Sequence, residues 1–531
     1  MRARAPRTPH VSIVTPFFNN GPEFAATAAS VIGQSFQPWE WIIVNDGSDI
    51  LESTAVLAAY RDGDPRIRVV DHPVNRGLSA ARNTGVHHTR ADLVLQLDDN
   101  ILLEPTAVEK WYWYLAAHPE HSFVTAYTVV FGARQHLWNR SFQMGRAFKP
   151  PNEFEATTMF RRKMHASVGG FDEIPPEDLA NWSFLRRCTN AGYLGGTVRE
   201  YLSWFRYPAG HAEPQESDDY EARRRRFPLR LRRGFSALLE GRFPRSPRIS
   251  NEVPEDTPEP WPSANVLHKR KPRLLLVVPW LAMGGTEKFT IDLLGELTGR
   301  GWEITVATTR EHADEWMPLF AAHTPDVFAL HRFLRPADYP RFLSYLIRSR
   351  RVDTVMIVHS ELGYRLLPYL RSQFPEVTFV DSLHVVEPAW NDGGFPRFAV
   401  RYAEQLDLSI AASEQVKRWM VEQGADPLRV EICHINVNTH VIRPDAAIRA
   451  EVRREHAVAI DTPIILFAGR VCQQKQPFVL ADTVARLRRR SLEFEVWVAG
   501  DGPDLDHLRS ALGSIGFGTR FASWDPFRRQ K

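Results

Sequence analysis

Asp98-Asp99-Asn100 closes an apolar run, Leu93-Val-Leu-Gln-Leu97. Carboxylates at a strand end, in a polar loop, can hold Mg²⁺ or Mn²⁺ together with substrate phosphates. Asp and Asn after a strand are also ordinary turn formers. A second acidic pair, Glu177-Asp178, stands before Leu179 to Cys188, which reads as a helix; acids suit that end of a helix in any case. Farther on, Met283-Gly-Gly-Thr-Glu-Lys288 lies between a strand and a helix carrying Phe289, Leu293 and Leu297. Glycines there let backbone amides approach a diphosphate at a helix N-terminus, although βα turns also use glycine for their own geometry.

These residues need elements to position them. Val11-Ser-Ile-Val-Thr15, Trp41 to Val44, Arg66 to Val70 and Leu93 to Leu97 read as strands, with helices predicted over Phe24 to Gly33 and Leu78 to His88. Strand and helix in alternation predict βαβ units around a largely parallel sheet. Ligands of such sheets sit beyond the carboxyl ends of the strands, where Asp46 and Asp98 fall. A second series starts at Arg273-Leu-Leu-Leu-Val-Val278 and continues through Trp302 to Ala307, Thr354 to Val358, Val377 to Val380 and Leu408 to Ala411. A third starts at Pro463 to Phe467 and repeats at Phe494 to Val498.

Between the first two series, ten arginines fall in 223–248 with Glu240 the only acid, and a proline-rich linker follows. The arginine segment, interleaved with Phe and Leu, reads either as an amphipathic helix on an anionic membrane surface or as a solvated helix between domains. With 66 Lys and Arg against 63 Asp and Glu, the net charge of +3 does not suit a global polyanion binder, and no nucleic-acid motif accompanies the arginines. Cys188, Cys433 and Cys472 are too far apart for a disulfide framework, and no CxxC pair suggests zinc. The N-terminus runs into a strand without the apolar core of a signal peptide. The reading is a cytoplasmic protein of several domains, with peripheral contact at the inner face of the membrane as the role of 223–248 if that segment is amphipathic.

Pro16-Phe-Phe-Asn19, Ser30 to Gln34, Val44-Asn-Asp-Gly-Ser48 and Asn75 to Asn83 precede Asp98-Asp99-Asn100; Gly169 to Asp172, Glu177-Asp178 and Trp204-Phe-Arg206 follow it. In that order they resemble family-2 glycosyltransferases of the GT-A fold, over roughly 10–211. The resemblance implies a nucleotide-sugar donor, a divalent cation (Mn²⁺ or Mg²⁺) and transfer with inversion. It places Pro16, Asn19, Asp46, Arg76, Arg82, Asp98 and Trp204 on the substrate side, with Asp46 at the nucleotide base or ribose. Asp98 and Asn100 match the metal motif, whose last position is Asn here instead of Asp, and Asp99 is the other candidate ligand. Arg82 reads equally as a helix residue pairing locally, and Trp204 as either an acceptor-pocket wall or core. Asp178, after Glu177, matches the base that takes the proton of the acceptor hydroxyl.

Gly284-Gly285, Ser382-Leu-His384, Ala412-Ser-Glu414, Ile435 to Thr439, Ala468-Gly-Arg470 with Lys475, and Ala499 to Pro503 resemble family-4 glycosyltransferases of the GT-B fold, from about 272 onward. The resemblance implies Gly284 and Gly285 facing a donor, His384 near its sugar, and Arg470 with Lys475 on its diphosphate. The family's carboxyl-terminal Glu pair has no counterpart after Lys475, so an impaired second module is expected. The expected organisation is a GT-A domain over 10–211, an Arg/Pro-rich linker over 212–271, a doubly wound GT-B unit over 272–445 and an incomplete one over 446–531. The expected activity is sugar transfer to a glycan or lipid-linked acceptor, such as cell-surface polysaccharide synthesis requires. The alternative is a binding or scaffold protein in which the folds persist without turnover.

Overall fold

The structure, a computed structural model, describes residues 9–61, 63–139, 142, 157–173, 180–207, 264–440, 442–515 and 519–522. Glu177, Asp178 and the arginine segment 223–248 lie outside the described residues.

The first sheet is built from β1 (Val11–Phe17), β2 (Trp39–Asn45), β3 (Ile67–Asp71), β4 (Leu93–Gln96), β5 (Ile101–Leu103), β6 (His121–Gly132), β7 (His136–Trp138), β8 (Thr158–Arg161) and β9 (Leu194–Tyr207). Its helices are α1 (Phe24–Ile32), α2 (Leu51–Arg61), α3 (Leu78–His87), α4 (Ala107–Ala117), α5 (Arg162–Ser167) and α6 (Ala180–Asn190). The strand order is β3-β2-β1-β4-β8-β6-β9-β5, with β7 on β6. β1 to β4 are mutually parallel, and β8 turns the sheet antiparallel. β1 and β2 are buried along their whole length, as apolar runs covered on both faces must be.

The second sheet is wholly parallel: β10 (Arg273–Val278), β11 (Glu303–Thr308), β12 (Val327–Ala329), β13 (Thr354–Val358), β14 (Thr378–Leu383), β15 (Leu408–Ala411) and β16 (Val430–Ile432). Its order, β12-β11-β10-β13-β14-β15-β16, reverses between β10 and β13. Both sheets fall in one compact unit, Met1–Ile435. A second unit, Asn436–Lys531, holds the parallel strands β17 (Ile464–Ala468), β18 (Glu495–Ala499) and β19 (Thr519–Ala522). The α/β architecture expected from the alternating pattern is therefore present throughout. Among the described residues, no helix is long and apolar enough to cross a membrane.

Helix α4, Ala-Val-Glu-Lys-Trp-Tyr-Trp-Tyr-Leu-Ala-Ala, is buried almost all round, which a helix accepts only between two packed layers. One face meets the first sheet; the other meets the helix Tyr339–Arg350 of the second. Trp113 packs edge-on against Phe342, their ring centres 5.1 Å apart, and lies 5.0 Å from Tyr345. Its two charged residues are matched inside. Lys110 Nζ lies 2.6 Å from Glu200. The Arg350 guanidinium donates to both Glu109 oxygens at 2.5 and 2.6 Å and to Asp326 at 2.8 and 3.0 Å. Burial opposes the charge on Arg350, yet the Asp326 and Glu109 carboxylates carry its pKa well above the ordinary value. Asn265 completes the joint, donating to the Tyr345 hydroxyl at 2.7 Å and to the Ser35 carbonyl at 3.1 Å while accepting from the Gln37 N–H at 2.9 Å.

Removing one partner of a buried ion pair strands the other. Glu109→Ala is expected to cost roughly 3–5 kcal/mol in urea unfolding of the full chain. An unfolding midpoint equal to that of the wild type would contradict this.

Candidate functional site

The carboxyl end of β2 leads directly into Asp46, which is only 3% exposed. Its Oδ1 accepts from the Arg76 N–H at 2.9 Å and its Oδ2 from the Gly77 N–H at 2.8 Å. His72 Nδ1 stands 2.6 Å from Oδ1, and His72 Nε2 stands 2.9 Å from the Thr84 hydroxyl on α3. Asp46 therefore holds the 72–77 loop against β2. Gly47 makes this approach feasible: its φ is 70°, and a Cβ there would lie 2.4 Å from the Val74 and Asn75 backbone. Arg76 enters the site through its backbone, while its half-exposed guanidinium lies 3.7 Å from Glu173.

Asn19, at φ 51°, clamps the loop after β2: its side chain donates to Asp49 at 2.8 Å and accepts from the Asp49 and Ile50 N–H groups at 3.1 and 3.2 Å. Pro16 lies buried near the end of β1. The ladder between β1 and β4 stops at Val14 and Gln96, so a residue without an N–H is tolerated there. Beyond that point the two strands are no longer paired, which is where a parallel sheet whose order reverses leaves a crevice.

Asp98 stands at the mouth of this crevice, beyond β4. The Arg82 side chain is 1% exposed, and its Nη2 donates to both Asp98 oxygens at 2.8 and 3.0 Å. Nη1 of Arg82 donates to Asn181 Oδ1 at 3.0 Å, which also accepts from Gln96 Nε2 at 2.9 Å. In Asp99, burial and then the adjacent Asp98 carboxylate push the carboxyl up to about 7. The Asn100 amide lies 3.5 Å from the Arg206 carbonyl, and Trp204, 38% exposed on β9, is a surface residue and not core. Among the described residues, no group of three or more His, Cys, Asp or Glu could hold a metal by itself. His72, Gln96 and Asn181 escaped the sequence reading, because each acts on a motif residue only through the fold.

The second sheet gathers a separate group where its strand order reverses. Gly284, after β10, is extended and caps the helix Gly285–Gly299. A Cβ on Gly284 would come within 2.2 Å of the Glu287 carboxylate. His384, just past β14, has Nε2 3.1 Å from the Ser382 hydroxyl and Nδ1 3.3 Å from that of Thr286, in the first turn of this helix. Burial lowers its pKa to about 4, so the ring is neutral at pH 7. Sequence reasoning missed His359 at the end of β13. Its backbone is left-handed at φ 52°, and its ring stacks on Phe395 at 4.6 Å and lies 5.0 Å from His384. Burial and then His384 lower its pKa to about 3. Arg470 follows β17 and Lys475 ends a short turn; both are exposed, in the second compact unit.

Residues 12–171 match the family model described as glycosyl transferase family 2, and residues 283–441 that described as glycosyltransferase family 4. The chain thus joins a segment similar to one glycosyltransferase family to a segment similar to another. An uncharacterized protein of Sinorhizobium fredii, y4gI, is 25% identical over 374 residues, which cover 67% of this chain and 39% of that protein. The D-inositol 3-phosphate glycosyltransferase of a Nocardioides species is 32% identical over 272 residues, 44% of this chain and 58% of that one. The chain thus spans less than two thirds of either relative. A crystal structure of Anabaena Alr3699/HepE in complex with UDP-glucose shares 15% identity, covering 48% of this chain and 69% of that chain at a TM-score of 0.39.

The family-2 segment thus contains Asp46, Arg82, Asp98 and Asn100, and the family-4 segment contains Gly284, Gly285 and His384. In the family-2 segment, two adjacent carboxylates stand side by side, and the buried guanidinium of Arg82 pairs with Asp98 alone. Asp99 binds its proton more tightly folded than unfolded. Stability should therefore fall as pH rises from about 4 to about 7 and level off above. Asp99→Asn is expected to flatten this slope and to raise stability at pH 7.5 by on the order of 2–4 kcal/mol. Urea unfolding at pH 5 and 7.5 in EDTA reads this; an unchanged slope would refute it.

Proposed function

We propose that the chain is an inverting, metal-dependent glycosyltransferase whose first sheet carries the chemistry. The observation that supports this most is that buried Arg82 pairs with Asp98 beyond β4, while Asp46 beyond β2 holds the loop that leads into the helix carrying Arg82. In a parallel sheet this is where ligands lodge. A nucleotide-sugar would lie along the crevice, its nucleotide bordered by Asp46 and the 72–77 loop and by the Asn19 clamp. Two neighbouring carboxylates and an amide oxygen suit a hard cation that keeps waters and takes the remaining ligands from substrate phosphates. Asp98 and Asn100 would hold it, with Asp99 beside them. When bound, it supplies positive charge to the donor diphosphate.

Asp178, with Glu177 beside it, would take the proton from the acceptor hydroxyl. The acceptor oxygen bonds to the anomeric carbon from the face opposite the diphosphate, and the bond from that carbon to the diphosphate oxygen breaks. Trp204, exposed on β9, would offer a flat apolar surface to an acceptor sugar. Glycans or lipid-linked sugars are the acceptors of this reading, and assembly of a cell-surface polysaccharide its setting. Gly284, Gly285 and His384 would line a second donor site in the first compact unit, and Arg470 and Lys475 would be the diphosphate-binding cations of the second unit taken by itself. A second reading, a protein that binds donor without turnover, draws on the Arg82 fork that already engages both Asp98 oxygens.

Purified protein incubated with UDP-, GDP- and dTDP-sugars and Mn²⁺ or Mg²⁺ separates the two readings. Metal-dependent donor turnover is expected, lost in Asp98→Ala and reduced about 10²- to 10⁴-fold in Asp178→Asn. Binding without turnover, with acceptor glycans present, would favour the second reading. No binding of any donor would sink both.

A further inference from the structure

The face of α4 turned toward the second sheet is built like the inside of one protein. One continuous cluster of buried apolar side chains takes in Val11, Trp41 and Leu115 from the first sheet and its helices and Leu275, Val355 and Phe379 from the second. Within this contact the Lys110 ammonium and the Arg350 guanidinium lie 5.5 and 5.2 Å from the centre of the same Phe328 ring. Domains that merely share a chain meet over more polar surfaces and move on one another. An apolar core crossed by the ion pair of Arg350 and Glu109, with 2% and 0% of their side chains exposed, is instead what a permanent interface presents.

Two elements run from this contact to the acidic loop after β4. α4 is reached from Asp98-Asp99-Asn100 through β5 and the turn 104–106. α1 is fastened to α4 at its end. Gln34 Nε2 donates to the Glu104 carbonyl at 2.8 Å, Gln34 Oε1 accepts from the Val108 N–H at 3.0 Å, and the Ser35 hydroxyl donates to Glu109 at 2.5 Å. Earlier in α1, the Thr27 hydroxyl donates to the Asp99 carbonyl at 3.0 Å. The carboxylate that meets Arg350 therefore also fastens the end of α1, and α1 in turn fastens the acidic loop.

We propose that the second sheet is the permanent structural partner of the first: it closes α4, and through α4 and α1 it holds the Asp98-Asp99-Asn100 loop in place, with Glu109 as the positioning residue. The second sheet thus serves the first crevice as well as its own. This role does not depend on turnover at either crevice, so a chain that transfers no sugar would still show it.

Cutting the full chain between its halves tests the partnership. A protease site placed in the proline-rich linker allows the cut after folding, and the two pieces are expected to stay together on gel filtration at about 1 µM, as obligate partners do. Pieces that separate would overturn the partnership. Glu120 and Arg335 pair at the edge of the contact, with 21% and 16% of their side chains exposed, where a change of charge leaves the core intact. In the cut chain, Glu120→Arg is expected to weaken association at least about tenfold on dilution, and adding Arg335→Glu to restore most of it. A double variant no tighter than the single one would overturn this interface. Positioning is read in the uncut chain without substrate. Glu109→Gln keeps the volume and removes the charge; amide exchange is expected to speed up roughly 3- to 10-fold in α4 and over 98–103, while β2 keeps the wild-type rate. Faster exchange in α4 alone, or no change in either, would overturn the positioning role. Equal acceleration in β2 would mean a global loss of stability and would overturn it as well.

Discussion

A guanidinium taken out of water must be met by carboxylates or by carbonyl oxygens, and this requirement shapes the chain at two places. Arg350 is charged in the interior because Glu109 faces it from α4 and Asp326 from the edge of the second sheet. Neither carboxylate would tolerate that depth alone. Once the three are together, α4 and the helix Tyr339–Arg350 have one allowed register, and the aromatic packing of Trp113 on Phe342 and Tyr345 follows from it. The two sheets share a single compact unit for this reason, in spite of the long connection between them.

Arg82 obeys the same rule nearer the chemistry. Its partners are Asp98, which must stay accessible, and Asn181, which belongs to a different layer. A buried charge is therefore balanced by a carboxylate at the mouth of the crevice. The cation that satisfies Asp98 leaves Asp99 without one of its own, and burial beside Asp98 carries the Asp99 carboxyl to about 7. Electrostatic shortage of this kind is how a site for a further cation or a proton is built into a fold.

Both sheets place their polar groups by one topological device. Where the order of parallel strands reverses, the connections leave in opposite directions and a crevice remains beyond the carboxyl ends. In the first sheet the crevice lies between β1 and β4; in the second it lies between β10 and β13, with the Gly284 turn on one side and His359 on the other. Burial keeps His359 and His384 neutral. These two histidines therefore offer hydrogen-bonding groups and no charge at neutral pH.

Much of this was legible from residue order alone. Apolar runs of strand length, separated by helical spacing and turn clusters, specify parallel βα units, and those runs became β1, β2, β4, β10, β11 and β13. The acids and glycines at their ends mark the loops where a ligand must sit, because only there does the backbone leave the sheet. Other features waited for the fold. Arg82 reads as a local partner or a site residue with equal ease until Asp98 is placed beside it. That Asp46 also holds the Arg76 and Gly77 amides is visible only in the fold. The role of helix α4 shows only when its Glu109 meets Arg350, 241 positions away. Periodicity and turn chemistry are local and survive in the sequence. Pairing of buried charges is a long-range compensation, and nothing short of the tertiary structure names the partner.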